Sequence, residues 1–273
     1  VKEFCGDDSQ VKGGKVPHIG AAASEQAALL QDKTARGQVP LLQGNFNLAF
    51  GFRRLSILDL SPLGHQPMAD REQIVWGILN GEIYNYIEIR EDLKGLGYKF
   101  KSNSDTEVMI YSYLQWGTEC FKRFNGMWAI MIYDKRKQEL ICSRDRFGVK
   151  PLYYFRDDSS PEMIIFASEV KGILKYLATS PSAGSHRGEQ IVVNDHIVYD
   201  YLLYTFVDHS EETFVKHIKS FPASHYLRLD SQGGMEFRKY FSLEGNTETT
   251  GYDESQFKRY VEKYRELLTD SVK

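Results

Sequence analysis

The 273-residue chain carries 42% hydrophobic and 26% charged residues, which is the profile of a globular protein with one large domain or two small ones. Its formal net charge is -3 with acids and bases interspersed, so no basic stripe marks it as a nucleic-acid partner. The longest apolar run, around Met127 to Tyr133, falls far short of the roughly 20 residues a bilayer needs, and the polar first residues, Val1 to Gln10, carry no secretory signal. Three cysteines (Cys5, Cys120 and Cys142) suit a reducing, cytoplasmic setting rather than a disulfide framework. The seven histidines form no HExxH or HxH pattern and no cysteine pair has CxxC spacing, so no metal site is expected.

Along the chain, residues 1–45 are weakly patterned. Leu55–Leu60 reads as a strand followed by a Pro-Gly turn at Pro62–Gly64, and Ile74–Leu79 as an apolar strand stopping at Asn80-Gly81. Asn85 with Glu88, and Ser104 with Glu107, have capping-box spacing; they predict helices through Leu93 and through Trp116, stopped by Gly95, Gly97 and Gly117. Strands are predicted at Met127–Tyr133, Glu139–Ser143 and Met163–Ala167, then a short helix at Val170–Tyr176 and a loop at Thr179–Gln190. A helix near Asp195–Phe206 precedes a hairpin, Tyr226–Leu229 and Phe237–Phe241, that turns at Gly233-Gly234. After a polar linker, Phe257, Tyr260, Val261, Tyr264, Leu267, Leu268 and Val272 make one apolar helical face. Such a face needs a surface to cover it, and the natural protein is expected to continue past Lys273. The mixture of strand runs and helices without strict alternation favours an α+β fold.

Six segments carry a resemblance in register. They are Arg53-Arg54-Leu55-Ser56-Ile57-Leu58-Asp59, His65-Gln66-Pro67-Met68, Asn80-Gly81-Glu82-Ile83-Tyr84-Asn85, Ser104-Asp105-Thr106-Glu107, Asn125-Gly126-Met127-Trp128-Ala129 and residues 144–154, RDRFGVKPLYY. Together they resemble the class II glutamine amidotransferase domain of glutamine-hydrolysing asparagine synthetases. That resemblance implies an N-terminal-nucleophile hydrolase fold, a four-layer α-β-β-α sandwich of two antiparallel sheets. It implies an amidotransferase domain over residues 1–245, with 1–45 reduced relative to the family. Residues 252–273 would be a helix leading into an ATP-dependent synthetase domain that this sequence does not contain.

The resemblance also implies roles. Arg54 would grip the glutamine α-carboxylate with its planar fork, lined by backbone groups near Ile57 and Leu58. Asp105 and Glu82 would hold the α-ammonium. The Asn80 side-chain amide and the Gly81 N–H would form the oxyanion hole. Read without the family, Asn80-Gly81 also fits a type I′ hairpin turn, Asp105 a favourable charge at a helix start, and Arg54 a surface ion pair. Residues 144–150 read as a structural turn rather than a phosphate site, and Cys120 and Cys142 as small core residues.

The family nucleophile is an N-terminal cysteine whose own α-amino group takes the thiol proton. Cys5-Gly6 is the candidate, lying 31 residues before Arg36, which lies 17 before Arg53. Cys5 is preceded by Val1–Phe4, so its amine is free only if they are removed. The resemblance implies glutamine as substrate, no cofactor for this chain, ATP and Mg²⁺ for the synthetase domain, and that domain as partner; a homodimer is left open. The alternatives are a domain that binds glutamine without hydrolysing it, an amidotransferase serving another acyl-adenylate, and a docking module.

Overall fold

The computed structural model describes residues 18–23, 47–53, 58–156, 163–179, 191–243 and 253–272. In chain order the elements are β1 (His18–Ala23), β2 (Asn47–Phe52), β3 (Met68–Ala69), β4 (Val75–Ile83), α1 (Tyr86–Gly95), α2 (Asp105–Trp116), α3 (Cys120–Arg123), β5 (Gly126–Asp134), β6 (Glu139–Arg144), β7 (Tyr153–Arg156), β8 (Met163–Ala167), α4 (Val170–Thr179), α5 (Asp195–Tyr204), β9 (Ile218–Ser220), β10 (His225–Asp230), β11 (Met235–Lys239) and α6 (Glu254–Val272).

The strands form two sheets, ordered β11-β10-β6-β5-β4-β3 and β2-β1-β8-β7-β9. The six-stranded sheet is antiparallel throughout. In the five-stranded sheet β7 pairs antiparallel with β8 and β9, while β1 runs parallel to both its neighbours, β2 and β8.

Strand alternation sorts side chains into three apolar layers. Ile78, Met131, Tyr133 and Cys142 of one sheet meet Leu48, Phe50, Ile164 and Phe166 of the other, filling the space between the sheets. Val75, Leu79, Ile83, Trp128 and Ile130 point the opposite way, against Val108, Met109 and Ile110 of α2 and against Ile89 and Leu93 of α1. On the outer face of the five-stranded sheet, Phe155, Met163 and Ile165 pack with Ile173 of α4. Helix, sheet, sheet and helix therefore stack in the expected four-layer order. The chain divides after Phe241, and the second unit holds α6, whose apolar residues from Phe257 to Val272 are exposed.

Several local expectations change. The first residues of the strand expected at Leu55–Leu60 lie outside the described residues, and Leu58, Asp59 and Leu60 are not strand. Asp59 sits at φ 47 with its carboxylate accepting from the Ser61 N–H and hydroxyl, a local turn that competes with pairing. β4 does not stop at Asn80-Gly81 but runs on to Ile83, so the pair is mid-strand rather than a hairpin turn. Asn85 does not cap α1 with its side chain; it accepts from the Asn125 N–H and donates to the Arg123 carbonyl. Ser104 does cap α2, accepting from the Thr106 N–H at 3.1 Å, but Glu107 turns to the Lys101 and Ser102 N–H groups instead of closing the box. The second strand of the last hairpin is Met235–Lys239 rather than Phe237–Phe241.

Candidate functional site

The geometry centres on the far end of β4 and the start of α2. Asn80, Gly81 and Glu82 are consecutive on β4, opposite Ala129, Trp128 and Met127 of β5. Alternation aims Asn80 into the space between the sheets, where its Nδ2 donates to the Ser168 hydroxyl at 3.0 Å, just beyond the end of β8. One side chain thus bridges the two sheets.

Gly81 has φ +145, and a methyl group there would run into the Met127 carbonyl oxygen. Only glycine fits that backbone approach. Across the strand pair, Trp128 gives its N–H to Asp145 Oδ2 (3.2 Å) and its carbonyl accepts the Asp145 N–H (2.9 Å). Residues opposite one another in an antiparallel ladder alternate between exchanging hydrogen bonds and not, so the Gly81–Trp128 pair is of the second kind. The Gly81 N–H then faces the other edge of β4.

Asp105 is the first residue of α2 and is buried; its Oδ2 accepts the Ile83 N–H at 3.2 Å. Burial pushes its carboxyl above the ordinary aspartate range. The Ile83 and Thr106 N–H groups oppose that rise, and the nearby Glu82 charge adds to it. Two carboxylates therefore share a region in which one resists ionisation. The loop entering α2 is held by buried Arg90 of α1, which donates to the carbonyls of Ser102 (2.8 Å) and Ser104 (3.1 Å). Asp59 Oδ2 also accepts the Asn103 N–H at 2.7 Å, tying the end of the Arg53–Asp59 motif to this loop.

Of the residues singled out from the sequence, Asn80, Gly81, Glu82 and Asp105 come together at this corner, and Leu58 lies half-buried one residue before Asp59. Cys5, Arg54 and Ile57 lie outside the described residues. Cys120 and Cys142 are fully buried, and burial pushes both thiols far up from their usual range, as befits core residues. The turn at 145–150 is structural: the Asp145 carboxylate accepts the N–H groups of Phe147, Val149 and Lys150, and Arg144 donates to the Gly148, Lys150 and Phe221 carbonyls. Sequence reading missed Ser168, Arg90 and any role for Gln66. Among the described residues no cluster of histidine, cysteine or acidic side chains could hold a metal ion, and no helix is long and apolar enough to cross a membrane.

The family model described as glutamine amidotransferase domain matches residues 22–241. The chain belongs to the glutamine amidotransferase domain family. Its similarity to curated relatives covers most of its length. It is 36% identical over 243 residues to a protein of Methanocaldococcus jannaschii named putative asparagine synthetase [glutamine-hydrolyzing] 2, covering 84% of this chain and 44% of that one. It is 33% identical over 226 residues to asparagine synthetase [glutamine-hydrolyzing] 1 of Bacillus subtilis, covering 83% and 32% respectively. The amidotransferase domain thus spans less than half the length of the relatives it matches. A solved structure described as the allosteric regulatory enzyme of purine biosynthesis aligns at TM-score 0.45 and 17% identity, over 67% of this chain and 32% of that one.

Proposed function

We propose that this domain hydrolyses glutamine to glutamate and ammonia, as the glutaminase part of an asparagine synthetase in which ATP-dependent chemistry elsewhere passes ammonia to aspartate. The observation that carries the reading is the corner itself. Asn80 and Gly81 lie side by side on β4, and farther along the same strand the Ile83 N–H binds a buried carboxylate, Asp105, whose ionisation burial disfavours and the Glu82 charge disfavours further. A carboxylate pair of that kind is relieved by a cation, and the α-ammonium of an amino acid is one. The neighbouring amide donors then suit the oxygen of the side-chain carbonyl as it gains negative charge.

In this reading the ammonium is held by Asp105 and Glu82, and the α-carboxylate by the Arg54 guanidinium. The backbone near Ile57 and Leu58 closes the pocket. Asn80 Nδ2–H and the Gly81 N–H receive the oxyanion. Cys5 supplies the thiol and, once Val1–Phe4 are removed, the amine that accepts its proton. Attack releases ammonia and leaves a thioester, which water resolves to glutamate. Both other cysteines being sealed in the core supports Cys5 as the nucleophile. This chain's own step calls for no ATP or Mg²⁺; those belong to the synthetase domain that accepts the ammonia.

Ammonia release from glutamine, measured on the wild-type chain and on Asn80→Ala and Cys5→Ala, tests the reading. Loss of one oxyanion donor is expected to lower kcat roughly 100- to 1,000-fold, or about 2.7–4 kcal/mol of transition-state stabilisation. Undiminished turnover in Asn80→Ala sinks the oxyanion assignment, and undiminished turnover in Cys5→Ala sinks the nucleophile.

A further inference from the structure

β3 pairs with β4 only at Trp76 and Gly77, through Ala69 and Met68. Beyond that point the outward edge of β4 must find other partners for its backbone groups. At Leu79 the partner is a side chain. Gln66, buried just ahead of β3, accepts the Leu79 N–H on Oε1 at 2.7 Å and donates Nε2 to the Leu79 carbonyl at 3.3 Å. Its amide thus stands in for one residue of a neighbouring strand. The same Nε2 donates to the Thr106 hydroxyl at 3.0 Å. Four residues along the edge, the Ile83 N–H is taken by Asp105.

The first two residues of α2 therefore fasten β4 at two points, Asp105 directly and Thr106 through Gln66. Gly81 lies midway between them, and among the described residues no side chain takes its outward N–H. We propose that Gln66 is a positioning residue for the reaction: it fixes the height of the Gly81 N–H and of Asn80 against the Asp105 carboxylate, so that the oxyanion donors and the ammonium site keep one spacing. Gln66 does not touch the reacting atoms in this proposal; it acts through the strand. The inference rests on the glutaminase reading above.

Steady-state glutamine hydrolysis tests it, with kcat and KM separated and thermal midpoints recorded for every variant. Gln66→Met keeps the side-chain volume but removes all three hydrogen bonds. Thr106→Val removes only the hydroxyl, and Thr106→Ser restores it. Gln66→Met and Thr106→Val are expected to lower kcat about tenfold, part of the roughly 100-fold that a misplacement of about 1 Å costs, with KM within about twofold of wild type. The double variant should be no worse than Gln66→Met alone, since both sever the same link. Thr106→Ser should recover most of the rate. If Gln66→Met does not fold, the Thr106→Val and Thr106→Ser pair decides alone.

A kcat within about twofold of wild type in Thr106→Val, even with a lowered thermal midpoint, overturns the proposal and leaves a purely structural link. Asn80→Ala, run in parallel, separates the two levels. If Asn80→Ala loses activity and the Gln66 and Thr106 variants do not, only the positioning role fails. If Asn80→Ala is fully active, the oxyanion assignment fails and takes this inference with it; if the wild-type chain releases no ammonia from glutamine, the glutaminase reading fails and this inference falls with it.

Discussion

Two apolar stretches of this chain meet opposite fates. β5 is central in the six-stranded sheet, flanked by β4 and β6, with helices on one face and the second sheet on the other. Its residues from Trp128 to Tyr133 are all buried. The segment around α5 is also rich in apolar residues, yet Tyr199, Tyr201, Leu202, Leu203, Tyr204 and Phe206 are all exposed, and of the helix only Ile197 is fully buried. Apolar composition states how strongly a segment prefers to leave water; it does not say which surface receives it. A strand in mid-sheet has two faces and both edges claimed by its own chain, whereas α5 buries Ile197 and sets the Tyr201 ring edge-on against Phe214 while most of its apolar surface stays in water.

The contrast breaks most visibly in the core. Trp128 stacks on Tyr240, meets Phe124 edge-on and donates Nε1–H to the Ser143 hydroxyl at 3.2 Å. Trp128→Ala should cost about 3–5 kcal/mol of unfolding free energy in urea titration; a loss near zero would mean that β5 is not the core strand described here.

Asp105 belongs to the buried side of that contrast, yet it is a carboxylate whose burial works against its charged form. Burial holds its carboxyl above the ordinary aspartate value of 3.8, so ionisation opposes folding above that value. Asp105→Asn should therefore raise the thermal midpoint at neutral pH. The gain should shrink as the pH falls and vanish below about 3.8, where wild-type Asp105 is protonated in both states. The same variant should abolish stabilisation of the domain by added glutamine, read as a ligand-dependent shift in melting temperature. A midpoint lower than wild type at pH 7 would contradict the burial cost.

The smallest effect belongs to α5. Leu202→Ser and Leu203→Ser should each change stability by no more than about 0.5 kcal/mol, as exposed positions do. Sedimentation should show the double variant less self-associating than wild type, because it removes part of an exposed apolar patch. A destabilisation of about 2–5 kcal/mol, the usual cost of losing a buried leucine, would show that α5 is packed after all.

Much of the architecture was legible in period and punctuation. The hydrophobic runs of β4, β5, β6 and β8 stood out, as did α1, α2 and the hairpin of β10. What escaped had weak local signals: β1 reads HIGAAA with no alternation, β7 has four residues and β9 three. β4 also ran past Asn80-Gly81, because a dipeptide that favours turns was overridden by pairing with Ala129 and Trp128. Asn80, Gly81, Glu82 and Asp105 were singled out through motif resemblance, and their burial and hydrogen-bond partners came only from the fold. Gln66 and Ser168 escaped because their contacts join positions 13 and 88 residues apart, a separation at which no local pattern speaks.

One feature of the β4–β5 pair constrains how such a domain can change over generations. Gly81 and Gly126 mirror each other: a methyl group on the first strikes the Met127 carbonyl, and one on the second strikes the Glu82 carbonyl. Each collision is with main chain, which no exchange of side chains can retract. A lineage that loses either glycine has no second-site remedy at the other, so both positions should stand invariant wherever this corner is still used.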